Sequence, residues 1–150
     1  MMKRRTFLLT AAATTFALPV RGATLPTIGV LKSPTCGCCT AWVDHIRQAG
    51  FPVEAQDVDT DQIWALKEKL GIGPDLAGCH TAIVDDFFIE GHVPAEDILR
   101  LLDERPAARG LAVPGMPMGS PGMDFSDQRD PFDTLLVGPD GATTVFTSHA

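Results

Sequence analysis

The spacing of apolar and polar positions changes period along the chain, and each change marks an element. Residues 27–32 alternate, with β-branched Ile28 and Val30, which predicts a strand. Ser33-Pro34-Thr35-Cys36-Gly37 breaks that run. From Cys38 or Cys39 to Gln48 the apolar residues Trp42, Val43 and Ile46 recur at helical spacing, and Gly50 ends the helix. Residues 53–58 predict a second short strand. A second helix, capped by Thr60 or Asp61, runs to Leu70 with Ile63, Leu66 and Leu70 on one face. Residues 71–78 read as a loop. Residues 81–84 and 87–90 flank Asp85-Asp86 and predict a hairpin. Pro94 suits the first position of a third helix, with Glu96 and Asp97 in its first turn; Pro106 stops it after Glu104.

The order is β-α-β-α-β-β-α, an α/β class with the element sequence of a thioredoxin-like fold. Residues 110–123 break the pattern: Pro and Gly are too dense there for a helix or an inner strand. A loop of this length in a small domain is usually functional or disordered. Strands over 134–137 and 143–147, joined at Gly138-Pro139-Asp140-Gly141, add a C-terminal hairpin to the basic order.

The 150 residues suit one domain plus a targeting segment. Lys3, Arg4 and Arg5 precede an apolar stretch, residues 7–18, that is too short for a stable membrane span. Small residues follow at Gly22 and Ala23. Residues 1–23 therefore read as an export signal, and residues 24–150 as the mature domain in an oxidising compartment, the periplasm. The run Lys3-Arg4-Arg5-Thr6-Phe7-Leu8 is compatible with either a general secretory or a twin-arginine route. No stable membrane span is expected after processing. The formal charge is −7, and cleavage would remove four cationic residues, Lys3, Arg4, Arg5 and Arg21, and no acid. Such acidity argues against nucleic acid as a partner and suits attraction of cations.

All four Cys lie in two places, Cys36/Cys38/Cys39 and Cys79. The first three fall between a strand and a helix, where free N–H groups and positive partial charge favour thiolate. Cys36 and Cys39 have the Cys-X-X-Cys spacing of redox centres. Cys38 is superfluous for a dithiol exchanger but adds a soft ligand. Two disulfides in a secreted domain are the structural alternative. In a thioredoxin-like topology the third strand runs antiparallel beside the first, so Cys79-His80 should face the Cys36–Cys39 loop. The fourth strand runs back, which returns His92 to the same edge. His80 is either a ligand or a hydrogen-bond donor to a thiolate. His92 is either a ligand or part of the cap of the third helix. His45 reads as a surface residue, and His149 as part of the tail.

Met116, Met118 and Met123 are the Met residues outside the start region, and all lie in the Pro/Gly loop. Thioether sulfur suits Cu(I). At roughly 3.3 Å per extended residue the loop is long enough to fold back over the thiols. Adaptable packing is the other reading. The sulfur-rich set favours copper as Cu(I). Zinc would be satisfied by a closed Cys/His tetrahedron and fits less well, since adjacent Cys38 and Cys39 do not easily chelate one Zn.

Lys32-Ser33-Pro34-Thr35-Cys36-Gly37-Cys38-Cys39 with Trp42, Cys79-His80-Thr81, Glu90-Gly91-His92-Val93-Pro94-Ala95, and Gly110-Leu111-Ala112-Val113-Pro114-Gly115-Met116-Pro117 with Gly119-Ser120-Pro121-Gly122-Met123 together resemble the CopG-like copper-resistance proteins. The resemblance spans about residues 27 to 147. It implies a thioredoxin-like fold in the periplasm, Cu(I) held by the cysteines, a role in copper resistance beside other periplasmic copper-handling proteins, and redox chemistry at the same thiols. Some members carry a further Cys pair near the C-terminus; the tail Phe146-Thr147-Ser148-His149-Ala150 has none. The expected function is thus a periplasmic Cu(I)-binding protein using Cys36, Cys38, Cys39, Cys79, His80, His92 and the loop Met residues. The alternative is a thiol–disulfide or copper-redox oxidoreductase using Cys36 and Cys39.

Overall fold

A computed structural model describes residues 24–150. The export signal read in residues 1–23 lies outside the described residues. The elements in chain order are β1 (Ile28–Lys32), α1 (Gly37–Gln48), β2 (Val53–Asp57), α2 (Thr60–Leu70), β3 (Thr81–Val84), β4 (Phe87–Gly91), α3 (Ala95–Glu104), β5 (Gly110–Val113), β6 (Phe132–Val137) and β7 (Thr143–His149).

The strands form one sheet of seven, in the order β2-β1-β3-β4-β5-β6-β7. β1 runs parallel to β2 and antiparallel to β3, and β3 pairs antiparallel with β4. The end of β1, the start of β3 and the end of β4 therefore share one edge. Alternation along the strands sorts residues between the two faces. Ile28, Val30, Ala82, Val84, Phe87 and Ile89 pack with Trp42, Val43 and Ile46 of α1 and Ile98 and Leu101 of α3 in the main core. A smaller cluster of Ile72, Phe88, Ala112 and Val137 lies apart from it.

The expected loop over residues 110–123 needs correction at its start. Gly110–Val113 is a fully buried inner strand, parallel to β4 and antiparallel to β6. The backbone explains why Gly opens it. A Cβ on Gly110 would stand 2.1 Å from the Phe88 carbonyl oxygen, so glycine permits the close pairing that Leu111-Ala112-Val113 then continues. β5 also joins the C-terminal hairpin to the sheet. Two helix starts shift by a residue or more: Cys36 is the N-cap of α1, and Asp59 that of α2, where the Gln62 side chain accepts the Asp59 N–H. Pro94 is likewise the N-cap of α3 rather than its first residue.

Candidate metal centre

At the head of α1 the Cys36 Sγ occupies the place of a capping oxygen and accepts the Cys39 N–H at 3.3 Å. Cys36 and Cys39 are joined in a disulfide, while Cys38 and Cys79 are free thiols. The bland alternative of two disulfides is therefore not what the fold contains. Cys79 lies 40 residues from Cys39 in sequence, yet its Sγ is 3.4 Å from Cys39 Sγ and 3.7 Å from Cys38 Sγ. Cys36 Sγ is 3.5 Å from Cys38 Sγ. All four sulfurs lie within 4.8 Å of one another.

A buried polar network fixes the Cys79 side. Glu90 and Thr81 are cross-strand partners, and Lys67 reaches them from α2. The Lys67 ammonium donates to Glu90 Oε1 and, at 2.8 Å, to Thr81 Oγ1. Thr81 donates to Glu90 Oε2 at 2.7 Å, and the Gly78 N–H donates to Glu90 Oε1 at 2.6 Å. Lys67 is 2 % exposed, and Thr81 and Glu90 are fully buried. A buried ion pair persists only when such extra hydrogen bonds satisfy both ions. Here one of those bonds holds the residue next to Cys79. Gly78 also lies against the end of β4: a Cβ on it would meet Gly91 Cα at 2.5 Å.

His92 follows β4 and points Nε2 at Cys79 Sγ, 3.0 Å away, with Nδ1 2.7 Å from the Pro121 carbonyl oxygen. A carbonyl can only accept, so Nδ1 carries the proton and Nε2 turns its lone pair to the Cys79 thiol. His80 places Nδ1 3.6 Å from the same sulfur, and its buried Nε2 has no hydrogen-bond partner. The His80 ring packs 4.3 Å from that of Trp42, whose indole N–H donates to Val93 O at 2.8 Å and ties the segment after His92 to α1. Burial lowers both imidazole pKa values, that of His80 well below the ordinary 6.5. Both rings are thus neutral at pH 7, the form that ligates metal. Burial, reinforced by Cys38, pushes the Cys79 thiol up to about 12. A soft cation that displaces the thiol proton would relieve that penalty.

The Pro/Gly loop lies on the first turn of α1. Gly122 has φ +87°, and a Cβ there would stand 2.6 Å from Cys38 O. The loop meets the site through Pro121 O and the Gly122 backbone. Met123 is buried, Met118 half-buried, and Met116 53 % exposed. His45 is not the surface residue its helix position suggested. It is half-buried, and its Nε2 accepts the Ala95 N–H at 3.1 Å, so the cap role considered for His92 falls to His45. Lys67, Thr81 and Glu90 went unrecognised as supports of the site. The one available signal was spacing: Lys67 stands four residues after Ile63, on the inward face of α2.

Four clustered sulfurs, two neutral imidazoles and one formed disulfide on an α/β scaffold define a class: a thiol-centred domain with a donor set suited to a soft metal. Two solved structures titled "Copper resistance protein copG" are similar to this chain. Form 2 is 40 % identical with a TM-score of 0.78, covering 84 % of this chain and 99 % of its own. Form 1 is 38 % identical with a TM-score of 0.77, covering 83 % and 98 %. The chain belongs to this CopG copper-resistance family. The family described as "Protein of unknown function, DUF411" matches residues 76–123, which include Cys79, His92 and the loop. No curated protein matches.

Proposed function

We propose that this chain is a periplasmic Cu(I)-binding protein of copper tolerance, exported by means of residues 1–23, with residues 24–150 as its thioredoxin-like binding domain. Cys36, Cys38, Cys39 and Cys79 act as thiolate ligands. His92 and His80 flank Cys79 as further neutral donors, and Met116, Met118 and Met123 supply thioethers from the loop that meets the site at Pro121 and Gly122. The observation that carries this reading is the meeting of four sulfurs within 4.8 Å of one another. Membership of a copper-resistance family supports it. No helix among the described residues is long and apolar enough to cross a membrane.

Cu(I) favours such a set because thiolates bridge several ions and thioether and imidazole ligands are soft or borderline. The disulfide sets a condition: all four sulfurs become available only after two-electron reduction. Anaerobic Cu(I) titration of the reduced full chain against a competing chelator, with Zn(II) in parallel, tests the reading. Tight Cu(I) binding that is lost when all four Cys are replaced by Ser is expected. Affinity equal to that of the Ser set would contradict it.

A second reading has its own observation, the disulfide already formed between Cys36 and Cys39. On that reading the chain is a thiol–disulfide or copper-redox oxidoreductase. Turnover with a dithiol reductant, abolished in Cys36→Ser and Cys39→Ser, is its expected signature.

A further inference from the structure

The Cys36–Cys39 disulfide is not isolated from the other thiols. Cys39 is fully buried, so a thiol from solvent cannot approach its sulfur. The half-buried Cys79 thiol already stands 3.4 Å from it. His92 Nε2 lies 3.0 Å behind that thiol, held with its lone pair forward by the Nδ1–H bond to Pro121 O. On the far side of the disulfide, Cys36 is the half-exposed helix cap, and its sulfur accepts the Cys39 N–H. A thiolate leaving at Cys36 would meet a donor already in place and the positive end of α1.

From this proximity we propose that the disulfide exchanges internally, so that the domain has two interconverting forms, bridged Cys36–Cys39 and Cys39–Cys79. Cys79 Sγ swings into line with the Cys36–Cys39 bond and joins Cys39 Sγ as that bond breaks. The electron pair leaves on Cys36 Sγ, which ends with the proton that Cys79 gave up, relayed through His92 Nε2. No external oxidant or reductant is needed, because one disulfide and two thiol equivalents stand on each side. The two forms free different pairs: Cys38 and Cys79 beside His92 in the first, Cys36 and Cys38 at the head of α1 in the second. If copper is the cargo, which rests on the reading above, exchange moves the available thiol pair from beside His92 to the head of α1.

The chain's cleavage pattern gives a direct readout. Trypsin cuts after Lys32, Arg47, Lys69 and Arg100, which puts Cys36, Cys38 and Cys39 in one peptide and Cys79 in another. The metal-free oxidised full chain is incubated with excess iodoacetamide at neutral pH, digested without reduction, and read by mass spectrometry. Cys38→Ser is run beside the wild type, so that only one thiol remains beside the disulfide. The expected result is a growing cross-link between residues 33–47 and 70–100, with alkylated Cys36. The yield should not depend on protein concentration. In His92→Gln its accumulation should slow by about tenfold or more. Label on Cys79 with the disulfide still inside the first peptide, in both proteins, would overturn the proposal. An unchanged rate in His92→Gln would remove His92 from the step. Because no copper is present, failure here is separate from failure of the metal reading.

Discussion

The two halves of the thiol site are held by different physics. The helix half, Cys36 to Cys39, depends on local devices: a helix cap through sulfur and a disulfide spanning four residues. The sheet half, Cys79, His80 and His92, comes from distant segments. It rests on a buried ion pair, a cross-strand Thr–Glu contact and close glycine backbones. Chemistry can switch the first half, since its bond can be reduced. The second is anchored by Lys67 and Glu90, buried and paired beneath Cys79 and Thr81. A segment closed by a reducible bond thus stands against one held by buried polar contacts.

The largest effect should come from the sheet half. Glu90→Ala leaves the Lys67 ammonium buried without its counter-ion, which costs about 3–5 kcal/mol. Urea denaturation should show this, together with faster alkylation of Cys79; a loss below about 1 kcal/mol would erase the contrast between the halves. Acidification should come next. Burial keeps His80 and His92 neutral in the folded chain, whereas in the unfolded chain they protonate near 6.5. Their contribution is complete above that pH and is lost as pH falls, because the unfolded state then binds the extra protons. Each ring should remove at most about 1.4 kcal/mol per pH unit below 6.5 until its own folded pKa is passed, His80 over the wider range, read as a falling denaturation midpoint; a flat profile between pH 7 and 5 would contradict it.

Reduction of the Cys36–Cys39 bridge should cost less. A loop this short gives about 2 kcal/mol by chain entropy, visible as a modest drop in Tm with the sheet intact by circular dichroism. Complete unfolding on reduction would reverse the ranking of the two halves. The smallest change should follow His45→Ala, which removes an acceptor from the start of α3 for about 1 kcal/mol.

This division also governed what the sequence could reveal. The helix half was legible because its signals are short-range: Cys-X-Cys-Cys directly after a strand and before an amphipathic run. Facing residues 79–80 and 92 were legible once β3 was placed antiparallel to β1, since strand direction alone puts them on that edge. The supporting residues were not. Lys67 and Glu90 are residue types that ordinarily face water, and only their pairing across 23 positions makes burial tolerable. β5 was misread because Pro114 and Gly115 follow so closely, and a four-residue buried strand shows no alternation. The same lack of local signal hid Pro121 O as the partner that orients His92.

Cu(I) affinity of the reduced full chain and of Cys79→Ser, measured anaerobically against one competing chelator, tests most directly whether both halves serve a single centre. The substitution should weaken binding by about tenfold or more, with the Cys38→Ser loss of similar size. Affinity unaltered by Cys79→Ser would show that metal is held by the helix half alone, and would contradict a single centre.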